Sequence, residues 1–383
     1  MRLLDEGLQL RQWPTRAVLR FDDFERLDGR TLRARGRAFR LPEEIAQAVR
    51  LELDWVAPRG GLEDARAAVG QLLSRPHGAR RTAERLLSAA AQLGASDVHL
   101  EADAGGWAIR VRLAGDLHDL ARASAESGTR LVAALKGLAG VLPYRSDVLQ
   151  EGRIPRSGVC ADVRASFAPT AMGERAALRL FGRLLRLGEL GLGPGVLDKV
   201  ERALEARTGL MLVAGSTGAG KTTTLYAALE HLARTRRGAH LSLEDPVEQR
   251  LRVAGIPVDQ IEIEPSRGLT SGALLAAALR QDVDVIAVGE IRTPADARLA
   301  LEAAHTGRLV LAGVHAGSPA EARQRLVDLG ADPALLDAAL RGVLFQELET
   351  VDCGCGAGCE RCRGALRVRR LRAELQLGEG GAR

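Results

Sequence analysis

A short glycine-rich segment constrains the fold of this chain more than any other feature of its sequence. The letters GSTGAGKTT, residues 215–223, follow the apolar run GLMLVA and match the spacing of glycine, four residues, glycine, lysine and threonine. Glycines let successive backbone N–H groups converge on an anion, and a helix beginning near Lys221 adds the positive end of its dipole. We therefore predict a phosphate-binding loop made of Gly215, Ser216, Thr217, Gly218, Ala219, Gly220, Lys221, Thr222 and Thr223.

The last residues of this loop predict how a bound nucleotide would be held. Lys221 would reach the β- and γ-phosphates, and the Thr222 hydroxyl would bind Mg²⁺. Lysine occurs elsewhere only at Lys136 and Lys199, although lysine and arginine together number 54. A chain that otherwise uses arginine therefore has a lysine where an ammonium must meet phosphate. The alternative is an ordinary glycine-rich turn between a strand and a helix.

Strands and helices alternate in the sequence around this loop. The runs LMLVAG, HLSLED, DVIAVGE and RLVLAGVHA are typical of short buried strands, and helical spacing separates them. This alternation predicts an α/β domain whose parallel sheet is covered by helices on both faces. Ser318, Pro319 and Glu321 predict a capping box at the start of one helix, and Gly307 predicts the end of another.

The composition of the chain changes along its length and predicts several further segments. Residues 1–80 are rich in arginine, contain several prolines and indicate no chemistry. Residues 81–182 combine one helical pattern with alternating strand patterns, which predicts a small α+β domain. Residues 183–195 form a linker with glycines at which a hinge could bend, residues 196–350 hold the α/β domain, and residues 351–383 are a cysteine-rich element and tail.

Composition and charge exclude several classes of protein. Hydrophobic residues make up 46% of the chain and charged residues 27%, as in an ordinary globular protein. The net charge of +5 is small against 54 basic and 49 acidic residues, so it argues only weakly for nucleic acid or anionic lipid, and we expect nucleic acid to be an unlikely partner. We find no apolar stretch of about 18 residues and no signal-peptide pattern. We therefore expect a cytoplasmic protein without a membrane span.

Ionisable side chains follow three of the predicted strands. Glu244 and Asp245 end one strand, Glu290 follows another, and His315 ends a third. Parallel sheets bind ligands at the carboxyl ends of their strands. A hydrolysing site needs one carboxylate to orient or deprotonate water and another to hold the magnesium shell, so Glu244 and Glu290 are candidate catalytic residues. His315 could sense the γ-phosphate. Alternatively, each carboxylate caps the turn after its strand.

Several longer motifs occur in a fixed order along the chain. They are GSTGAGKTTTLYAALEHL, LSLEDPVEQ, GLTSGALLAAALRQDVDVIAVGEIR and AAHTGRLVLAGVHA, with ASDVHLEA, IRVRLAGDLH, QEGRIPR and DVRASFAPTAMGERAALRLF upstream. The first group resembles the Walker A motif, Asp box, Walker B motif and His box of the secretion and type IV pilus motor ATPases, the GspE/PilB/PilT family. The upstream group is similar to the domain that precedes the ATPase core in that family. The resemblance covers roughly residues 85–345.

The resemblance implies a RecA-like P-loop NTPase domain with a parallel sheet, preceded by a small α+β, PAS-like domain. It implies a homo-hexameric ring that holds ATP between subunits and hydrolyses it to rotate the first domain against the second. Such a ring would act at the cytosolic face of an inner membrane on a platform protein, in type IV pilus assembly, DNA uptake or type II secretion. Arg112, Arg153 and Arg164 match arginine positions of the family's first domain and could supply charge to a neighbouring γ-phosphate. Each is alternatively a surface residue.

The chain also departs from the family pattern. Arg308 stands where the family has a histidine after the glycine of TGH, and Thr293 replaces the aspartate of GEIRD. The stretch AGVHAGS differs from the usual TLHTN. These changes leave open a weakened or regulatory ATPase, or a non-motor assembly module that binds nucleotide. The basic balance of the chain leaves open a nucleic-acid translocase that uses the same core.

Four cysteines lie close together near the C-terminus: Cys353, Cys355, Cys359 and Cys362. In a chain without an export signal they indicate a metal site before disulfides, and Zn²⁺ accepts four thiolates in a tetrahedron. The resemblance supports zinc, because extension and secretion members of the family carry a four-cysteine zinc element after the ATPase core. The four cysteines of this chain are spaced more tightly than the two separated CxxC pairs of the family. The alternative is a loop that binds nothing.

Overall fold

The structure is a computed structural model of the 383-residue chain. It describes residues 2–4, 7–10, 17–20, 24–28, 31–34, 37–41, 61–74, 78–155, 162–182, 184–251, 258–355, 362, 365 and 367–378. The chain divides into two compact units, which are Met1–Gly182 with Asp352–Val368, and Arg183–Val351 with Arg369–Arg383. Within the described ranges we find no helix with the length and apolar content that crossing a bilayer requires.

The first unit consists of antiparallel sheets and three described helices. Its strands are β1 Arg2–Leu4, β2 Gly7–Leu10, β3 Ala17–Arg20, β4 Phe24–Asp28, β5 Thr31–Ala34, β6 Arg37–Arg40, β7 Asp97–Asp103, β8 Gly106–Leu113, β9 Asp116–Ala123, β10 Gln150–Ile154, β11 Val163–Thr170 and β12 Gly173–Leu180. Its helices are α1 Leu62–Ser74, α2 Ala79–Leu93 and α3 Ala125–Leu138. Strands β1 to β3 form one three-stranded sheet, and β4 to β6 form another.

A six-stranded antiparallel sheet forms the centre of the first unit, in the order β10-β11-β12-β7-β8-β9. Along β11 and β12 buried residues alternate with more exposed ones, because successive side chains of a strand point to opposite faces. Leu100, Ile109 and Phe167 on the buried face belong to one core cluster with Leu86 and Leu135 of the helices. The α+β domain predicted from the sequence is confirmed.

The second unit is an α/β domain. Its strands are β13 Gly209–Ala214, β14 His240–Glu244, β15 Val258–Glu262, β16 Val285–Val288, β17 Leu309–Val314, β18 Leu340–Asp352 and β19 Arg367–Leu377. Its helices are α4 Pro194–Leu204, α5 Lys221–Thr235, α6 Ser271–Ala278, α7 Pro294–His305, α8 Pro319–Asp328 and α9 Pro333–Ala339, with short 3-10 helices at Leu187–Glu189 and Pro265–Arg267.

The strands of this unit form one sheet in the order β15-β14-β16-β17-β13-β18-β19, and the pairs from β15 to β18 are all parallel. Every residue of β13, β16 and β17 is buried. Leu210 and Leu212 pack in one core cluster, whereas Met211 and Val213 pack in another, so the two faces of the sheet are covered separately. This confirms the predicted parallel sheet with helices on both faces.

Helix ends and the expected linker are more specific tests of the sequence. Ser318 caps α8 by accepting a hydrogen bond from the backbone N–H of Glu321, as predicted. The Glu321 carboxylate, however, accepts from the N–H of Gly317 at 2.8 Å and not from that of Ser318. Gly307 follows α7 with a φ angle of +102°. In the segment expected to be a hinge, Leu187 is buried in a core cluster of the second unit.

Candidate nucleotide-binding site

The glycine-rich loop joins the end of β13 to the start of α5. Gly218 and Gly220 have φ angles of +80° and +88°, in the left-handed region that glycine adopts without a steric penalty. A Cβ atom at Gly215 would stand 2.4 Å from the carbonyl oxygen of Gln346 and 2.9 Å from the Cβ atom of Ala219. The loop therefore turns tightly against β18 and requires glycine at these positions.

Lys221, the first residue of α5, lies across this loop. Its Nζ atom donates hydrogen bonds to the carbonyl oxygens of Gly215 at 2.8 Å and Ser216 at 3.0 Å. Partial burial lowers the pKa of Lys221 from its ordinary value, and the Glu290 carboxylate opposes that shift. A bound phosphate would supply negative charge to this half-buried ammonium. The remaining predicted loop residues lie at its exposed tip or in the first turn of α5: Ser216, Thr217, Gly218, Thr222 and Thr223.

The carboxyl edge of the parallel sheet holds the other predicted site residues. Strands β14, β16, β17 and β13 are consecutive neighbours in the sheet. Glu244 is the last residue of β14, Glu290 lies two residues past the end of β16, and His315 directly follows β17. Because parallel strands end at the same edge, these side chains share that edge with Lys221 and the loop.

Glu244 is buried in a hydrogen-bond network, with 4% of its surface exposed. The hydroxyl of Tyr226 donates a short hydrogen bond to its Oε2 atom, and Nε2 of Gln260 donates to its Oε1 atom at 2.9 Å. The same hydroxyl accepts a bond from the N–H of Gln249 at 3.3 Å. Burial, and then the charge of Glu244, raise the pKa of Tyr226, so its hydroxyl remains a donor. Both oxygens of Glu244 are therefore occupied by protein donors.

Glu290 is more accessible and is held differently. Its side chain is 28% exposed. Arg292 donates from Nε to Oε2 of Glu290 at 3.0 Å and from Nη1 to Oδ2 of Asp245 at 2.7 Å. These bonds, first that to Glu290, raise the pKa of Arg292, which stays charged between the two carboxylates. His315 is exposed, and no described residue forms a hydrogen bond with its ring.

Residues 77–377 match the family model described as type II/IV secretion system protein, which is most of the 383-residue chain. The chain belongs to this family.

Individual relatives agree with the family match. Type II secretion system protein HxcR of Pseudomonas aeruginosa is 39% identical over 273 residues, which are 70% of this chain and 57% of that protein. Type II secretion system ATPase E of Vibrio cholerae is 37% identical over 273 residues, 70% of this chain and 53% of that protein. The chain thus spans about half the length of these relatives.

A solved structure supports the same relationship. The crystal structure of the pilus retraction motor PilT with bound ADP resembles this chain with a TM-score of 0.57 and 29% sequence identity, over 76% of this chain and 81% of that one. The likeness confirms the RecA-like P-loop fold predicted for the second unit.

Two of the departures from the family pattern, Thr293 and Arg308, have local structural roles. Thr293 is the N-cap of α7, and its hydroxyl accepts from the N–H of Asp296 at 3.2 Å. The buried Asp296 carboxylate accepts in return from the N–H of Thr293 at 2.9 Å. Arg308 donates to the carbonyl oxygens of Thr306 at 2.8 Å and Leu279 at 2.9 Å. Thr293 therefore stabilises the start of α7 at the carboxyl edge of the sheet, whereas Arg308 directly precedes β17 and contacts the ends of α6 and α7 at the opposite edge.

The three arginines predicted to act on a neighbouring subunit lie in the first unit. The strand register places these three arginines in one row of residues across the six-stranded sheet. In order, the row consists of Arg153, Arg164, Arg179, Asp97 and Arg112. Residues directly opposite each other in an antiparallel sheet share a face, so four guanidinium groups are on one face. Asp97 accepts from Nε of Arg179 at 3.0 Å and lies 3.7 Å from Nε of Arg112. Arg164 pairs with Glu151 at 3.1 Å.

Three of the C-terminal cysteines lie together. The Sγ atoms of Cys353, Cys355 and Cys362 are all within 4.8 Å of one another, and those of Cys355 and Cys362 are 3.4 Å apart. Cys359 lies outside the described residues. Converging thiolates are soft ligands, so this cluster could hold a metal ion.

Sequence reasoning missed several residues that contact the site. Gln260 and Gln346 lie on two strands outside every quoted motif, and Tyr226 lies on α5 within a quoted motif that gives it no role. Arg292 had a usable signal, because it lies two positions after Glu290 and can reach the same edge. The sequence also contained a signal for Arg179, because this residue lies in an alternating strand pattern like those that contain the predicted arginines.

Proposed function

We propose that this chain is an ATP-hydrolysing motor of a type II secretion or type IV pilus machine, working as a homo-hexameric ring. One observation carries the proposal: Lys221 folds over a glycine loop at the same sheet edge as Glu244 and Glu290. The family match and the ATPase and motor names of its relatives support this reading.

The residues of the site divide the work of hydrolysis between them. The loop amides and Lys221 would bind the phosphates of ATP, and the Thr222 hydroxyl would bind Mg²⁺, which neutralises phosphate charge. Glu290 is the carboxylate best placed to orient water, because it is more exposed than Glu244. Glu244, held by two donors, would keep the edge of the site in place. One or more of Arg112, Arg153 and Arg164 would reach the nucleotide of a neighbouring protomer.

ATPase measurements on purified protein test this assignment. We expect Lys221→Ala to abolish nucleotide binding, and Glu290→Gln to bind nucleotide while hydrolysing it at least about a hundredfold more slowly. Lys199→Ala, which changes an exposed lysine on α4, is the matched control and should behave as wild type. Hydrolysis at the wild-type rate by either site variant would refute the assignment.

A non-motor module that binds nucleotide without turnover is the second candidate. It is favoured by the exposed His315 and by Arg308, which replaces the family histidine and bonds to backbone carbonyls. ATP binding without measurable hydrolysis, with Mg²⁺ and partner present, would favour this candidate over the motor.

We further propose that the cysteine cluster binds zinc, with Cys359 as the fourth ligand beside Cys353, Cys355 and Cys362. Their convergence within 4.8 Å supports a tetrahedral thiolate site. Metal analysis of protein purified under reducing conditions should give about one zinc per chain. A zinc content near zero would contradict the proposal. So would an unchanged zinc content in the double variant that combines Cys355→Ser and Cys362→Ser.

The partner that follows from the motor reading is a platform protein of an inner membrane, approached from the cytosol. A pull-down of the tagged chain with candidate platform proteins, in the presence of ATP or ADP, tests this. Retention of none of them in either nucleotide state would count against the machine proposed.

A further inference from the structure

The buried side chain of Gln346 contacts the glycine loop from the neighbouring strand. Gln346 lies on β18, directly after Phe345, which pairs with Ala214 at the end of β13. Only 1% of the surface of Gln346 is exposed. It is 127 positions from Ala219 in sequence, so no motif of the loop predicts the contact.

Both ends of the Gln346 amide are used in this contact. Its Nε2 atom donates to the carbonyl oxygen of Ala219 at 2.6 Å, and its Oε1 atom accepts from Oγ1 of Thr224 at 2.7 Å. A side-chain amide offers a donor and an acceptor on one rigid group, which few other side chains do. Gln346 therefore ties the loop and the first turns of α5 to β18 at once.

The bond to Ala219 controls the direction of an N–H group in the loop. The peptide group joining Ala219 to Gly220 is planar, so in its trans form the carbonyl of Ala219 and the N–H of Gly220 point in opposite directions. With the carbonyl fixed toward β18, the N–H faces away from it. The amide also packs on the same peptide, since a Cβ atom at Gly220 would lie 3.2 Å from Nε2 of Gln346.

We propose that Gln346 is a positioning residue for the phosphate-binding loop. It acts through the peptide between Ala219 and Gly220, which it holds in the orientation that presents a backbone donor to phosphate, and it touches no nucleotide itself. The proposal rests on the function proposed for the loop. The bond from Thr224 has a different role, because it joins α5 to β18 and does not involve the peptide between Ala219 and Gly220.

Two variants separate the two ends of the amide. Gln346→Glu keeps the size of the side chain and the acceptor for Thr224 but removes the donor to Ala219. Thr224→Val is the matched control, since it removes the hydroxyl and leaves the bond to Ala219. We expect Gln346→Glu to weaken binding of a fluorescent ADP analogue about tenfold, as for loss of one buried hydrogen bond. Thr224→Val should stay within about twofold of wild type. A merely structural role would lower Tm without this difference in affinity.

Hydrogen exchange supplies a readout that needs no nucleotide. In the nucleotide-free protein, residues 215–222 should exchange faster in Gln346→Glu than in wild type, with β13 equally protected. Unchanged affinity, unchanged exchange of the loop, or an equal loss of affinity in both variants would overturn the proposal. If Gln346→Glu does not fold, Gln346→Met removes both bonds without adding charge and carries the same expectations. A wild-type protein that binds no nucleotide refutes the proposed function, while the exchange comparison still decides the role of Gln346.

Discussion

Lys136 is a charged residue buried in the core of the first unit. Its Nζ atom forms a short ion pair with the buried Glu174, donates to the carbonyl oxygen of Arg145 at 2.5 Å and lies 5.6 Å from the centroid of the Phe167 ring. An ammonium has three donors and no acceptor, and a buried charge must be paired. The residue therefore joins α3, β12 and the segment before β10 through one group.

Removing Lys136 should destabilise the protein strongly. We expect Lys136→Ala to lower the free energy of unfolding by about 3–5 kcal/mol, because Glu174 would remain buried without its partner. Lys136→Met combined with Glu174→Gln should cost less, since no buried charge remains. Urea denaturation measures both, and Lys199→Ala, at an exposed lysine, should stay within about 0.5 kcal/mol of wild type. A similarly small effect of Lys136→Ala would show that the ion pair contributes little.

The hydroxyl of Tyr226 should matter for turnover more than for binding. Tyr226→Phe removes the short hydrogen bond to Glu244 and leaves Gln260 as its described side-chain donor. We expect kcat for ATP to fall about tenfold, as for loss of a hydrogen bond to a charged group, with the Kd for ADP nearly unchanged. The only other tyrosine, Tyr144, is 79% exposed, and Tyr144→Phe is the control. Equal kcat values for the two variants would mean that the bond does not affect hydrolysis.

Strand β14 carries a buried ionisable residue at each of its ends. Glu244 ends it at the sheet edge that holds the glycine loop, and His240 begins it at the opposite edge with 2% of its surface exposed. Burial is the largest cause that lowers the pKa of His240. The charge of Arg236 also lowers this pKa, whereas the backbone of Gly238 and the charge of Asp284 raise it. The folded protein therefore keeps this imidazole neutral more readily than an exposed histidine would.

The stability of the protein should fall as the pH drops through the range in which an unfolded histidine gains its proton, below about 6.5. Below that pH the unfolded chain binds a proton at position 240 that the folded protein does not, so protonation favours unfolding by up to about 1.4 kcal/mol per pH unit. His240→Asn should reduce the difference in urea midpoint between pH 7 and pH 5. His231→Asn controls for loss of a histidine on α5, and an equal reduction in both variants would contradict the assignment to His240.

Elements were predictable from the sequence where one stretch contained the whole signal. The strands around Leu212 and Val310 were correctly predicted from unbroken apolar runs, and the loop before Lys221 from the spacing of its glycines. The predicted hydrogen-bond donor to the Glu321 carboxylate was wrong by one residue, because a carboxylate can reach either of two adjacent N–H groups. The contacts of Tyr226 and Gln346 with the site could not be predicted, because they join residues far apart in sequence. Tyr226 is 18 positions from Glu244, and Gln346 is 122 positions from Thr224 and 127 from Ala219.

At the scale of the whole molecule, the two units carry complementary chemistry. The second unit has a half-buried ammonium and carboxylates at one sheet edge, and the first has a row of four arginines on one sheet face. Asp97 pairs with two of these arginines, and Arg164 pairs with the partly exposed Glu151. The ion pair between Arg164 and Glu151 is exposed on both sides, and such pairs contribute little to stability, so the Arg164 guanidinium can exchange partners at low cost. A phosphate of another protomer is the partner that the ring model provides.

Mixing two inactive proteins tests that model of the ring. We expect Arg164→Ala to reduce hydrolysis by about a thousandfold, as for loss of an arginine that stabilises charge on the γ-phosphate. If Arg164 serves a neighbour's nucleotide, mixing this variant with Lys221→Ala should restore part of the activity, because an intact loop then meets an intact arginine across some interfaces. Mixing Lys221→Ala with Glu290→Gln is the control and should restore none, since both changes lie in the site of one protomer. Recovery in neither mixture, when co-purification through a tag on one variant shows mixed rings, would mean that Arg164 does not serve a neighbour's nucleotide.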